Sequence, residues 1–96
     1  MATFITLLKF TEQGIKNIKE SPDRFESFRS LAEKAGVTVT SAHYTAGIYD
    51  MVVVIDGPED VATALLLKVG SLGNIRSESM RAYSPDEMRV ILSKMP

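Results

Sequence analysis

Phe4-Ile5-Thr6-Leu7-Leu8-Lys9-Phe10 and Met51-Val52-Val53-Val54-Ile55 are short runs that carry large apolar residues at both parities. In an extended strand, successive side chains point to opposite faces. Phe4, Leu8 and Phe10 then share one face, and Ile5 and Leu7 share the other. The second run has no polar residue on either face. Strands apolar on both sides sit in the middle of a sheet and are covered above and below. Two central strands are therefore expected, over residues 4–10 and 49–55, and everything else must flank them.

Working outward, Thr11-Glu12-Gln13 starts a short helical turn carrying Ile15 and Ile18. Ser21-Pro22-Asp23 follows. Serine at the N-cap, proline at the first helical position and an acid in the first turn together mark a helix start. Phe25, Phe28, Leu31, Ala32 and Ala35 recur at helical spacing, and Gly36 supplies a left-handed stop. Residues 37–44 read as an edge strand, with Val37 and Val39 alternating with Thr38 and Thr40. Ala46-Gly47 marks a tight turn into the second central strand. Asp56-Gly57-Pro58-Glu59-Asp60 opens a second long helix through Val61–Val69, which ends at Gly70 or Gly73. Residues 74–83 are mixed in polarity and form the other edge. Ser84-Pro85-Asp86-Glu87 is a capping box, and Met88, Ile91, Leu92 and Met95 follow at i, i+3, i+4 and i+7. This predicts a C-terminal helix over 84–95 with one apolar face.

The order β-α-β-β-α-β, with right-handed crossovers, gives an α+β ferredoxin-like sheet of strand order 4-1-3-2. That order makes strands 1 and 3 central, as their two-faced apolarity requires. Both crossover helices then lie on one face. The other face would expose an apolar patch of roughly several hundred Å², more than a soluble monomer usually tolerates. A homodimer or higher homo-oligomer, packing sheet on sheet, covers it.

The totals agree with one domain spanning residues 1–96. The 11 basic and 12 acidic residues are interspersed and leave a net charge of −1. Neither a nucleic acid nor an anionic membrane finds a basic stripe there. With no cysteine and one histidine, an ordinary zinc or copper site is not expected, nor is any other cofactor. The start Met1-Ala2-Thr3-Phe4-Ile5 lacks the basic segment of an export signal, and no run is long enough to span a bilayer, so a cytoplasmic protein is expected.

Four segments in order carry a family likeness: Thr6-Leu7-Leu8-Lys9-Phe10-Thr11, Gly47-Ile48-Tyr49-Asp50, Gly70-Ser71-Leu72-Gly73-Asn74-Ile75-Arg76 and Met80-Arg81-Ala82-Tyr83. Together they resemble the GYD-domain family, whose Gly-x-Tyr-Asp signature stands here as Gly47, Tyr49 and Asp50. The resemblance covers nearly the whole chain. It implies a ferredoxin-like fold of the dimeric α/β barrel group, and it implies no reaction.

If Ala46-Gly47 is a two-residue hairpin loop, His43 faces Asp50 and Tyr44 faces Tyr49. Ser41, His43 and Asp50 then share one face. Asp50 could orient His43 as a general base. The same pair also reads as a plain cross-strand hydrogen bond. Ser41 lies mid-strand without an oxyanion hole and is not a nucleophile. Arg81 and Tyr83, at the end of the fourth strand, are expected to approach Asp50. Thus His43, Tyr49, Asp50, Arg81 and Tyr83 form a candidate ligand site, or alternatively a structural ion pair at the sheet edge. A weaker anion site gathers Lys9, Asn74 and Arg76 at the opposite end, beside a glycine-containing turn that equally reads as a helix stop.

Three functions fit these residues. The first is a homo-oligomeric small-molecule-binding or regulatory module. The second is a cofactor-free oxygenase or isomerase using His43 and Asp50. The third is a structural, ring-forming assembly protein. The excess apolar surface and the lack of a catalytic constellation favour the first.

Overall fold

Extended chain from Ala2 to Phe10 forms β1 in the computed structural model, which describes residues 2–96. Burial alternates along it. Ala2, Phe4, Thr6 and Leu8 are buried, and Thr3, Ile5 and Leu7 between them are half-covered. β3 (Met51–Gly57) repeats the pattern, with Met51, Val53 and Ile55 buried and Val52 and Val54 half-covered. The two strands pair antiparallel, with Phe4 opposite Ile55, Thr6 opposite Val53 and Leu8 opposite Met51. The buried sets therefore stack on one face of the sheet and the half-covered sets on the other.

β2 (Thr38–Tyr44) and β4 (Ile75–Ala82) flank this pair. The sheet is antiparallel with order β2-β3-β1-β4. Read from the other edge, it is the ferredoxin-like order 4-1-3-2, with both two-faced strands central. The β2 edge is bulged between Val39 and Ser41. The extra residue, Thr40, donates its hydroxyl to Val54 O at 3.1 Å. The bulge lets Val39 and Ala42 both face the core side, opposite Ile55 and Val53.

Two helices, α2 (Ser21–Lys34) and α3 (Glu59–Ser71), cover the face that bears Phe4, Val53 and Ile55. Phe25, Phe28, Val61 and Leu66 pack against the core, and Ala32 and Ala62 are fully buried. The chain enters α2 through α1 (Glu12–Lys16) and a 3₁₀ turn at Ile18–Glu20. Thr11 caps α1, its hydroxyl accepting from Gly14 N at 3.1 Å. Ser21 departs from expectation. An N-cap needs extended backbone angles, but the 3₁₀ turn delivers the chain already helical, with φ −56° and ψ −45° at Ser21. Glu20 takes the cap position without a side-chain bond. The buried Ser21 hydroxyl is free to pair with Tyr44 Oη at 2.8 Å. At the end of α3, Gly73 and not Gly70 adopts the left-handed conformation, with φ +84°.

The C-terminal helix α4 (Pro85–Ser93) has the expected capping box. Glu87 N donates to Ser84 Oγ at 3.1 Å, and Ser84 N donates to Glu87 Oε1 at 2.9 Å. The Ser84 backbone N–H, and next its side chain, hold the Glu87 carboxyl below its ordinary 4.5. The cap therefore contributes above that pH and is lost as pH falls through the lowered value. α4 buries none of its residues, and Met88, Ile91 and Leu92 stay exposed. No helix of the described residues is long and apolar enough to cross a membrane.

The β1–α1 connection is locked to the α3–β4 connection. Thr11 N donates to Asn74 O at 3.0 Å, and the Thr11 hydroxyl donates to Gly73 O at 2.5 Å. Gln13 Nε2 reaches both Leu72 O and Asn74 Oδ1. Gly14 lies so close that an added Cβ would stand 1.9 Å from Asn74 O. Because the obstacle is backbone, Gly14→Ala is expected to cost about 3 kcal/mol or more. Gly70→Ala, which projects into open space from a helix, is expected to gain about 0.5–1 kcal/mol. Urea unfolding midpoints of the two variants check this contrast.

Candidate functional site

A two-residue loop at Ala46-Gly47 is not what forms. Both primed hairpin turns need a positive φ at the first central residue. That residue is Ala46, and among the described residues no non-glycine has positive φ. The order Ala-Gly is the wrong way round for the turn. The loop is longer: Thr45 N donates to Asp50 O at 2.9 Å, and the Thr45 hydroxyl donates to Tyr49 O at 2.5 Å. Pairing then runs Tyr44 to Met51 and His43 to Val52.

This register separates His43 from Asp50. His43 stays exposed on the face without helices, with Val52 as its cross-strand neighbour. The Asp50 carboxylate turns to β1, where Oδ2 accepts from Phe10 N at 2.8 Å, while Asp50 N donates to Leu8 O at 2.8 Å. Asp50 thus fastens the hairpin loop to the end of β1 and does not orient an imidazole. The oxygenase or isomerase alternative loses its base-orienting pair. Tyr44 and Tyr49 also part company. Tyr44 bonds Ser21 under α2, and Tyr49 Oη donates to Glu78 Oε2 at 3.1 Å on the opposite face.

Arg81 and Tyr83 do not approach Asp50 either. β3 and β4 both run antiparallel to β1, so they share a direction and their ends lie together. Arg81 stands opposite Phe4, which stands opposite Ile55, at the far end of β3. Its guanidinium lies 4.6 Å from the Tyr83 ring centroid and 5.9 Å from that of Phe4. It donates to Ala82 O at 2.6 Å and to Thr3 O at 3.3 Å. These contacts strap β4 to β1.

The fold joins the two candidate sets differently. Tyr49 and Asp50 lie at the sheet end that carries Lys9, Asn74 and Arg76. Lys9 and Arg76 face each other across β1 and β4, and so do Leu7 and Glu78. Lys9 Nζ lies 5.4 Å from the Tyr49 ring centroid. Leu7, Lys9, Tyr49, Arg76, Ser77 and Glu78 line a shallow hollow of about 270 Å³ on the uncovered face. Glu78 was not among the residues expected there. Its only signal is the register that places it opposite Leu7. The Glu78 carboxylate accepts the Tyr49 proton and repels a phenolate, which holds Tyr49 above the ordinary 10.0.

The other face holds a second, mainly apolar space of similar volume. A cleft of about 250 Å³ runs between the sheet and helices α2 and α3. Phe25, Phe28, Leu31, Leu66, Val53 and Ile75 are among the side chains that wall it, and Arg24 and Lys68 also line it. No motif marks this cleft, because it arises from the separation of two helices over the sheet.

The profile of the GYD domain matches residues 4–92. This chain belongs to the GYD family. It is 31% identical over 85 residues to the glutamine synthetase and cystathionine beta-lyase binding protein of Thermus thermophilus, covering 85% of this chain and 88% of that one. The crystal structure of FFRP-DM1 superposes with a TM-score of 0.60 at 19% identity, covering 86% of this chain and all of that one. That likeness shows the fold. In GYD terms, the signature residues here are architectural first. Asp50 closes the loop onto β1, and Tyr49 brings an aromatic ring to the Lys9–Glu78 hollow.

Two measurements check these roles. Asp50→Ala leaves the Phe10 N–H without its acceptor and is expected to lose about 1–3 kcal/mol in chemical unfolding, while Asp50→Asn keeps an acceptor and loses less. In a spectrophotometric tyrosine titration, Tyr49 is expected to ionise above 10.0, and Glu78→Gln is expected to bring it back toward that value.

Proposed function

We propose that this GYD protein is a homo-oligomeric regulatory binding module, with a dimer as its minimal unit. The uncovered face of the sheet carries the reading. Ile5, Leu7, Val52 and Val54 form its centre, and Met80, opposite Ile5, is 47% exposed. Both long helices are committed to the other face. Five large side chains in one sheet-wide patch suit burial against a second copy. The exposed apolar residues of α4 extend the surface that association can bury.

The regulatory half of the proposal draws on the relative from Thermus, which is named for binding glutamine synthetase and cystathionine beta-lyase. Binding to another enzyme is the role we assign by that similarity, and those two enzymes are the first partners to test. The cleft beneath α2 and α3 offers the module a place for a small, mainly apolar ligand.

Sedimentation equilibrium at micromolar concentration is expected to give at least twice the 10.6 kDa chain mass. Val54→Lys, which places a charge at the centre of the uncovered face, is expected to shift the protein to monomer with its circular dichroism unchanged. A wild-type monomer would overturn the proposal.

A further inference from the structure

Every cavity lining has a chemical bias, and the cleft between the sheet and helices α2 and α3 has a sharp one. Its walls are aliphatic and aromatic, its charged residues are Arg24 and Lys68, and no carboxylate lines it. Two of the hydroxyls that border it, those of Thr6 and Ser21, are already paired. Thr6 Oγ1 pairs with Ser79 Oγ at 3.0 Å, and Ser21 Oγ pairs with Tyr44 Oη at 2.8 Å. Arg24 is different. Its Nη1 donates to Asn17 O at 3.0 Å and lies 3.6 Å from Glu20 Oε2. Its Nη2 is shielded from solvent and, among the described residues, faces no acceptor. A buried guanidinium N–H without a partner is costly, and a carboxylate is the acceptor that suits it best. Leu31 and Leu72, at 43% and 54% exposed, are lining residues whose apolar surface remains partly open to solvent.

From this juxtaposition we infer that the cleft binds an amphipathic monocarboxylate. Its hydrocarbon lies along Phe25, Phe28, Leu66 and Ile75, and its carboxylate pairs with the part-exposed Arg24 guanidinium, which turns its shielded Nη2 toward the cleft to donate. The inference rests on the reading of the chain as a binding module and names the class of its ligand. Size sets the length. At roughly 30 Å³ per water-sized group, the cleft holds about eight such groups. A ligand of about eight carbons fills it, and the second charge of a dicarboxylate would have only the solvent-exposed Lys68 to meet it. Lys68 is exposed on α3 and adds a second positive charge to the lining without competing for the buried position.

The test is calorimetric titration of the full-length protein with octanoate, and with octanol and octylammonium as matched controls of different charge. Octanoate is expected to bind at least about tenfold more tightly than either control, the increment of a charge-assisted hydrogen bond. Arg24→Gln is expected to remove that advantage and leave octanol binding within about twofold. Val69→Phe, which fills the cleft from α3, is expected to weaken octanoate and octanol together. Amide shifts of Phe25, Phe28 and Leu66 on octanoate addition report the location. If octanoate fails to bind at millimolar concentration, binds no better than octanol, or binds equally well to Arg24→Gln, the inference is overturned. Native mass spectrometry of the same sample keeps the two readings apart. A dimer that ignores octanoate removes the ligand class alone, and a monomer that binds it through Arg24 removes the oligomer alone.

Discussion

Pairing of β1 with β3 is the contact on which the rest of this molecule depends. Each strand alternates large apolar residues onto both faces, and their register aligns the alternation: Phe4 with Ile55 on one face, Ile5 with Val54 on the other. A slip of one residue would exchange the faces and leave neither helix with a matching surface. Because both strands need cover on two sides, neither can be an edge. The edges fall to β2 and β4, whose polar residues and bulge suit them to it. Helices α2 and α3 then serve one face alone, and the second face becomes the feature that any account of function must address.

The end of the sheet near Leu8 and Phe10 is held by backbone chemistry more than by packing. Phe10 N is satisfied by Asp50, and Thr11 N by Asn74 O. Three connections, β1–α1, β2–β3 and α3–β4, converge there within hydrogen-bonding distance. Gly14 permits the close approach, since a Cβ would stand on Asn74 O. The family signature makes physical sense in this setting. Asp50 supplies a carboxylate to the strand end, and Tyr49 bridges toward Lys9 and Glu78. Lys9 and Arg76 stay directly opposed in this arrangement, and two like charges at that spacing favour an acidic neighbour. Glu78, at the next pair on the same face, accepts from Tyr49 beside them.

Much of this was legible in the sequence, because burial patterns are local and periodic. The two central strands, the capping box at Ser84 and the apolar stripe of α4 follow from spacing alone. The four-segment likeness to the GYD family was likewise readable, and the family profile bears it out. The misplaced elements share a different origin. The hairpin at Ala46-Gly47 depended on the order of two residues, since a primed turn asks for positive φ where alanine stands. That error shifted the partner of His43 by two residues along the hairpin, from Val52 to Asp50, and produced a false carboxylate neighbour. Arg81 was misplaced by a sign, since β4 and β3 share a direction when both oppose β1. Ser21 lost its cap because a 3₁₀ turn preceded it, a choice no single residue announces. Cavities such as the α2–α3 cleft depend on how far helices stand from a sheet, which spacing in the chain does not encode.

The two-faced strands also separate the two proposed activities by residue parity. In β1, Phe4, Thr6 and Leu8 face the helices, and Ile5, Leu7 and Lys9 face the proposed partner copy. In β3, Val53 and Ile55 stand on the cleft side, and Val52 and Val54 on the other. A ligand in the cleft and a second copy on the sheet therefore never compete for a side chain, yet they meet across the thickness of one backbone. Packed strands resist bending, so displacement of β1 or β3 on one face is felt on the other. A binding module built this way needs no catalytic group to respond to a metabolite. It needs a cleft whose occupancy changes the packing of α2 against the sheet, and the Ser21–Tyr44 bond ties that helix to the very hairpin that carries Tyr49 and Asp50. The Ser21–Tyr44 bond thus joins the start of α2, which borders the cleft, to the hairpin that carries the signature residues.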